Sequence, residues 1–444
     1  MTDVLPTPSM IAALDALTQD LSAIGTDHRD VSLASLETAV LQAVRAALPA
    51  LLTAVVQRVT RTLQEPQAHW PRPCPRCGRR AHVQSWRPRT IQTICGPLRW
   101  ARPWYGCRPC GAGFSPADAS LGVEPRSRLS VGLQEWIHHL GATTDFRDAA
   151  DLLERLTGLA VSAETVRQRT ERVGAQLEAA AVAASEVVER TQEAAAPLDP
   201  VPGQLVVETD GVMVRYQDGW HEVKLGLVAG WASGTLRAPS YVAARASPAE
   251  FGPRLVAEAA RRGALEEIGW AGSPTRRALA ILPAVVVLGD GAPWIWHLAA
   301  EQFGTRTEIV DFYHASEHLG TAARAAYGEE SAAARAWAAA QRGALHDLGP
   351  ALVQAALAAL RPPTPEAAAV LRRERGYFRT NAARMAYPEF QARGLPIGSG
   401  AIESAAKHVV QLRMKRPGAR WSAGGAQAVL QVRCRLRSGR PLAA

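Results

Sequence analysis

The stretch Leu205 to Arg215, LVVETDGVMVR, constrains this chain more than any other. Leu205, Val206 and Val207 precede Glu208, Thr209 and Asp210, and Gly211, Val212, Met213 and Val214 follow, so β-forming residues enclose carboxylates that a plain core strand excludes. Burying a charge is costly unless something pairs with it. A divalent metal is one such partner, and two later acids are candidates to share it: Asp290, after the run VVVLG, and Glu403, in GSGAIES. Glu208 lies in phase with Asp210 along the strand and is a reserve ligand.

The residues around this strand predict a sheet. Gln217-Asp218-Gly219 supplies a hairpin turn, and His221 to Trp231 reads as a second strand. A third strand near Ser240 to Ala246 and a helix from about Pro248 to Arg262 follow. Residues 284–288 form a short, apolar, β-branched run of the kind covered on both faces. A helix with Trp294, Ile295, Trp296 and Leu298 leads to a fifth strand, Thr307 to Phe312. Three strands in meander, then helix, strand, helix, strand is the order of an RNase H-like core. Residues 316–393 are alanine-rich and helical, broken at Pro350 and at Pro362-Pro363-Thr364-Pro365, and read as an all-α insertion. The loop GLPIGSG then leads into a helix carrying Glu403.

Upstream, residues 1–70 are expected to be helical, with Leu33, Leu36, Val40, Val44 and Leu48 three and four residues apart, and their expected role is packing or self-association. Pro66, Pro71 and Pro73 end that pattern. Cys74-Pro-Arg-Cys77 and Cys107-Arg-Pro-Cys110 follow, separated by 29 residues with hairpin character. Four thiolates in two such pairs suit a tetrahedral structural zinc, so 71–125 is predicted to be a zinc ribbon, while Cys95 and Cys434 are ordinary thiols. Residues 126–196 return to helix, with a turn at Thr157-Gly158 and Ser162 as N-cap of a helix that carries Thr165, Arg167, Gln168 and Arg169. That pattern is helix-turn-helix-like, and these side chains would enter a major groove. Pro197, Pro200, Pro202 and Gly203 form a linker to a catalytic core whose first part is 204–315 and whose last part is 394–444. The whole is thus expected to be a multidomain α/β chain.

The net charge of +9 conceals an uneven distribution. Residues 71–110 hold nine arginines and no acid, and residues 404–444 hold nine Lys or Arg and no acid, which leaves 9 − 18 = −9 for the remainder. Two basic regions on an acidic body fit a polyanion partner. Lys407, His408, Arg413, Lys415, Arg416 and Arg420 lie close after Glu403 and are expected to contact backbone phosphates, whereas Trp421 is expected to pack in the core rather than stack on a base. No segment reads as long and apolar enough to cross a membrane, and the acids near the N-terminus do not fit an export signal, so a cytoplasmic, nucleoid-associated location is expected.

Phosphoryl transfer on DNA needs two divalent ions about 3.5 to 4 Å apart to activate the attacking oxygen and stabilise the leaving one. Magnesium (or manganese) takes oxygen ligands and keeps waters, so three carboxylates suffice. Thr209-Asp210-Gly211, Gly289-Asp290-Gly291, Asp311-Phe-Tyr-His314 with His318, and the run GLPIGSGAIESAAKHVVQLRMKRPGARWS together resemble bacterial insertion-sequence transposases of the DDE class, in the Kra-type group related to Mutator-like elements. The resemblance covers roughly residues 70 to 440. It implies an RNase H-like domain interrupted by a helical insertion, a triad of Asp210, Asp290 and Glu403, two Mg2+ ions, and cleavage and strand transfer on double-stranded DNA by a homo-oligomer that pairs element ends. It also makes Asp311 and His314 auxiliary active-site residues. The plainer alternative is that Asp311 caps the next helix and His314 bonds locally. A nuclease of the same fold that does not join, and a domesticated zinc-ribbon DNA-binding protein with vestigial acids, are the competing functions.

Overall fold

The computed structural model describes residues 7–24, 32–64, 70–191, 199–263, 265–268, 278–281 and 285–442. Pro66 and Pro197, expected at boundaries, lie outside the described residues. The chain divides into two compact units, Met1–Arg169 and Thr170–Ala444.

The first unit opens with α1 (Pro8–Ala23) and α2 (Leu33–Gln64). By length and composition Leu33–Thr60 is apolar enough to cross a membrane, which corrects the expectation that no segment is. The three- and four-residue spacing that suggested an amphipathic helix hid how few polar residues lie between the apolar ones. Val56 and Leu52 of α2 pack with Ile91, Leu98 and Trp100, yet Leu33, Val40, Val55 and Val59 are exposed. The strands β1 (Arg72–Pro73), β2 (Arg80–Thr93), β3 (Gly96–Gly106) and β4 (Gly113–Phe114) form an antiparallel sheet in that order. A short α3 (Pro116–Ser120) brings Asp118 onto Arg89 and Arg102, at 3.2 and 2.6 Å. Two of the nine arginines are therefore tied inside the unit. Then α4 (Val131–Thr143), α5 (Phe146–Thr157) and the start of α6 (Ala163–Thr191) close around Leu133, Ile137, Leu153 and Val166. Gly158 ends α5 in the left-handed conformation, and Ser162 accepts from the Thr165 amide, as the sequence suggested.

In the second unit, the later turns of α6 pack closely on α16 (Ala423–Arg437), where Gly174 leaves room for the Ala428 backbone. The division between units therefore falls inside α6, ahead of the proline linker read from the sequence. β5 (Gln204–Tyr216), β6 (Gly219–Ala232) and β7 (Thr235–Ala244) form an antiparallel meander. α7 (Pro248–Arg261) starts with a Ser247–Glu250 capping box, and β8 (Leu265–Ile268) and β9 (Ala278–Ile281) pair as a separate hairpin that the sequence did not disclose. β10 (Val285–Gly289) then joins β5 in parallel, and after α8 (Pro293–Gln302), β11 (Arg306–Val310) joins β10 in parallel. The sheet order is β11-β10-β5-β6-β7. The continuous apolar run of β10 is buried at every position, because helices cover both faces.

Between β11 and the Glu403 segment the chain is helical: α9 (Phe312–Tyr327), α10 (Ala332–Leu348), α11 (Pro350–Ala359), α12 (Pro365–Thr380), a 3-10 turn (Ala382–Met385) and α13 (Tyr387–Ala392). Of the prolines that the sequence marked as breaks, Pro350 and Pro365 sit in the first turns of α11 and α12, where their missing N–H costs nothing, and Pro362 and Pro363 lie in the loop between those helices. α14 (Gly400–Ala405) follows, passing through a π-helical turn (Ala406–Gln411) into α15 (Leu412–Met414).

Candidate carboxylate centre and cysteine cluster

Asp290 stands immediately beyond β10, beside β5, whose Val206, Val207 and Glu208 pair with Val286, Val287 and Leu288. Its Oδ1 accepts from the Ala292 amide at 2.8 Å, so one oxygen shapes the turn into α8. Gly291 has φ +96, and an added Cβ would meet the Tyr377 ring at 2.8 Å, while the Tyr377 hydroxyl donates to the Asp290 carbonyl at 3.0 Å. Gly211, next to Asp210, leaves the space that the Glu222 carboxylate occupies. Asp210 accepts from the Gly211 amide at 2.6 Å. Burial first, and then the charges of Asp290, Glu222 and Glu403, raise its carboxyl above the ordinary aspartate value. Two acids remote in sequence thus lie near enough to act on Asp210, and among the described residues no basic side chain pairs with Asp210, Asp290 or Glu403. Among the described residues the three acids are not gathered as closely as ligands of one ion would be. Ligands on either side of two ions 3.5 to 4 Å apart, each bond about 2 Å long, spread more widely than that.

Glu208 takes a different part from the one its phase suggested. It is fully buried, and its Oε2 accepts from the Ile402 amide at 2.8 Å. Burial pushes its carboxyl up to about 8, with Asp311 and Glu403 adding to the rise. It thus anchors α14, whose next residue is the exposed Glu403. Asp311 adopts the capping geometry that was the plainer of its two readings. It is 1% exposed, its Oδ1 accepts from the His314 amide at 2.5 Å, and its Oδ2 accepts from the Ser399 amide. With both oxygens held by backbone, Asp311 caps α9 and positions the GLPIGSG loop.

His314 belongs to a group that sequence reasoning only partly found. Its Nε2 lies 3.3 Å from His318 Nε2, and His318 Nδ1 lies 2.5 Å from the buried Glu374. Tyr377 stacks on His318 at 3.7 Å between centroids. The four-residue spacing of the histidines put both on one helix face, but nothing marked Glu374 and Tyr377 on α12 as their partners. Lys224, also unforeseen, lies buried against Trp294 at 3.9 Å and pairs with Glu222 at 2.5 Å.

Of the basic residues after Glu403, Lys407, Lys415 and Arg420 are exposed and Arg416 is partly so. The π-helical turn turns Lys407 and His408 outward, and buried Arg433 donates to the carbonyls of His408 and Val409. Arg413 is the exception. It is 3% exposed with its guanidinium 4.7 Å from the Trp421 ring, so it supports the fold instead of meeting phosphate. Trp421 is in the core, as expected. In the first unit, Arg167 and Gln168 both bond to Glu164, which occupies two of the side chains expected to read a groove, and Arg169 lies within electrostatic reach of the buried His138.

The four cysteines in the first unit lie close together and could hold a metal ion such as zinc, with all four sulfurs within 4.8 Å of one another. Cys74 and Cys110 are 3.6 Å apart and Cys77 and Cys107 are 3.5 Å apart. Four bonds of about 2.3 Å to a tetrahedral zinc require sulfurs roughly 3.8 Å apart, so the site fits. The two knuckles repeat one another: Gly78 N donates to Cys74 O at 2.9 Å and Gly111 N to Cys107 O at 2.8 Å.

Residues 27–232 match an uncharacterised protein family (UPF0236). Over 117 residues, 26% of this chain, the sequence is 32% identical to a Streptococcus gallolyticus protein described as "UPF0236 protein in vanSb 3'region". That alignment spans 24% of the relative's length. The chain is thus similar to this family over the cysteine cluster, the helices after it and the first two strands of the large sheet, a span that includes Asp210 and ends before Asp290 and Glu403.

Proposed function

We propose that the protein is a DDE transposase that binds DNA ends and carries out strand cleavage and strand transfer. The observation that carries this reading is placement: Asp210 lies on β5, Asp290 at the end of the parallel neighbour β10, and Glu403 on α14, which Glu208 of β5 anchors, with no basic partner among the described residues. An antiparallel meander extended by two parallel strands, with a helical segment between β11 and α14, supports an RNase H-like core. Asp210, Asp290 and Glu403 would hold divalent magnesium or manganese, whose chemistry is to activate the attacking oxygen and neutralise charge on the leaving one. Glu208 and Asp311 fix α14 and the loop before it, so that Glu403 is presented from a held helix end. Lys407, Lys415, Arg416 and Arg420 draw in backbone phosphates. In the first unit a structural zinc holds the arginine-bearing ribbon, and α5 and α6 supply a helix-turn-helix-like contact. A homo-oligomer acting on nucleoid DNA in the cytoplasm completes the proposal.

Incubation with DNA carrying the ends of the surrounding element and Mg2+ or Mn2+ tests it. Joined products are expected; cleavage without joining would indicate a nuclease, and binding alone a DNA-binding protein. Asp210→Asn is expected to abolish both reactions and leave binding in place. Continued cleavage by that variant would overturn the metal assignment.

A further inference from the structure

The second unit contains a cationic cavity of 370 Å³ whose lining shares Lys415, Arg416 and Arg420 with the phosphate contacts proposed above and adds Arg215 and Trp220. It lies where the end of β5 meets the loop between α15 and α16, and Arg215, Trp220, Lys415, Arg416 and Arg420 line it together with Met414. No acid contributes to the lining. Arg215, Lys415 and Arg420 around one concavity repel one another, so the site is suited to an anion.

The loop is built to hold this shape. Trp421 bonds to the end of β5 through its backbone, donating to Arg215 O at 3.3 Å and accepting from Gln217 N at 2.9 Å. Its indole donates to Met414 O at 3.0 Å and so closes the other end of the loop. Gly418, at φ +76, makes the turn between them. Buried Arg413 lies against the Trp421 ring beneath. The cations of the loop are therefore carried on a backbone anchored at both ends.

Trp220 supplies what a plain phosphate site lacks. It pairs across the hairpin with Arg215, which lies 5.8 Å from its ring centroid, and it is 55% exposed. A large exposed indole among cations offers a π-face to a base whose phosphates the surrounding charges hold. The cavity is near the small end of the range for small-ligand pockets, roughly 300–1,000 Å³. Arg215 is five residues along the strand from Asp210, roughly 17 Å away at about 3.4 Å per residue, and faces the opposite side of the strand. The pocket is therefore separate from the carboxylate centre.

We propose that this pocket binds one unpaired nucleotide of a DNA strand, its base stacked on Trp220 and its flanking phosphates held by Arg215, Lys415, Arg416 and Arg420. This rests on the reading of DNA as partner. The full chain is titrated with a labelled duplex carrying a short thymidine tail and with the same duplex carrying an abasic tail, which keeps the phosphates and removes the bases. The thymidine tail is expected to bind about 5- to 100-fold more tightly, the effect of a single base–aromatic stack. Trp220→Ala is expected to reduce that ratio to near one, and Trp220→Phe to retain most of it. Arg420→Ala is expected to weaken both ligands and flatten their salt dependence. A ratio near one in the unaltered protein, or one that Trp220→Ala leaves in place, overturns the pocket while DNA binding stands. Failure to bind either duplex at low salt overturns the DNA reading and the pocket with it.

Discussion

At the scale of the residue, the carboxylates sort by what holds their oxygens. Asp311 gives both oxygens to backbone amides and Glu208 gives one, its other oxygen being buried without a hydrogen-bond partner, whereas Asp290 keeps an oxygen beyond its turn and Glu403 is exposed. The Glu374–His318–His314 chain adds a positioning group. Burial opposes ionisation of Glu374, but hydrogen bonds from His318 and Arg373 outweigh it and hold the carboxyl below its ordinary value. Glu374→Gln is expected to lower the cleavage rate about 10- to 100-fold, the effect seen when partners behind an active site are removed, and to shift its pH profile while DNA affinity persists. A variant with an unaltered rate and profile would make the chain purely structural. His138 gives a pH test in the other unit. Burial, then Arg169, lowers it to about 4 from an ordinary 6.5, so the unfolded chain takes up the proton first as pH falls. Its contribution is present above pH 6.5 and lost as pH falls toward about 4, at most about 3 kcal/mol. Replacing it with leucine is expected to flatten the acid limb of the thermal unfolding curve. The placement of Asp210 within a strand and of Asp290 at a strand end was legible, because β-forming residues surround the one and an apolar β-branched run precedes the other. Glu374 and Tyr377 were not, since neither differs locally from any other residue of an alanine-rich helix.

At the scale of the element, the cysteine ribbon was legible throughout. Two CxxC pairs specify their own turns, and the structure repeats the same knuckle twice. Cys107→Ser is expected to reduce bound zinc from one equivalent toward zero by atomic absorption and to lose the folded sheet, as expected where binding contributes on the order of 10 kcal/mol. Retention of zinc would show that the ion sits elsewhere. Gly291→Ala tests the turn behind Asp290, where φ is +96 and the Tyr377 ring leaves no room for a methyl. A loss of more than about 1 kcal/mol in denaturant unfolding is expected, with activity falling further than stability. The strands of the large sheet were also readable, down to the β10 run buried on both faces. The β8–β9 hairpin was not, because four-residue strands carry too little periodicity to stand out. In α2, apolar spacing gave the helix but said nothing of how much of its circumference is apolar.

At the scale of the whole molecule, charge is the property that sequence and structure describe differently. The sequence shows two acid-free basic regions, but the fold neutralises Arg89 and Arg102 on Asp118 and buries Arg413 and Arg433. The exposed remainder after Glu403 is what polyanion binding can use. If Lys407, Lys415, Arg416 and Arg420 each meet a phosphate, the logarithm of affinity is expected to fall against the logarithm of salt with a slope of at least about −3.6, and each alanine replacement to flatten it by about 0.9. A slope near zero would remove phosphate contact from the account. The bond between Glu208 and the Ile402 amide spans 194 residues of chain, and that separation governs when the centre can exist. Contacts so remote close late, after the loop entropy of everything between them has been overcome. During synthesis the strand bearing Asp210 emerges long before α14, so the two cannot be joined until α14 has left the ribosome.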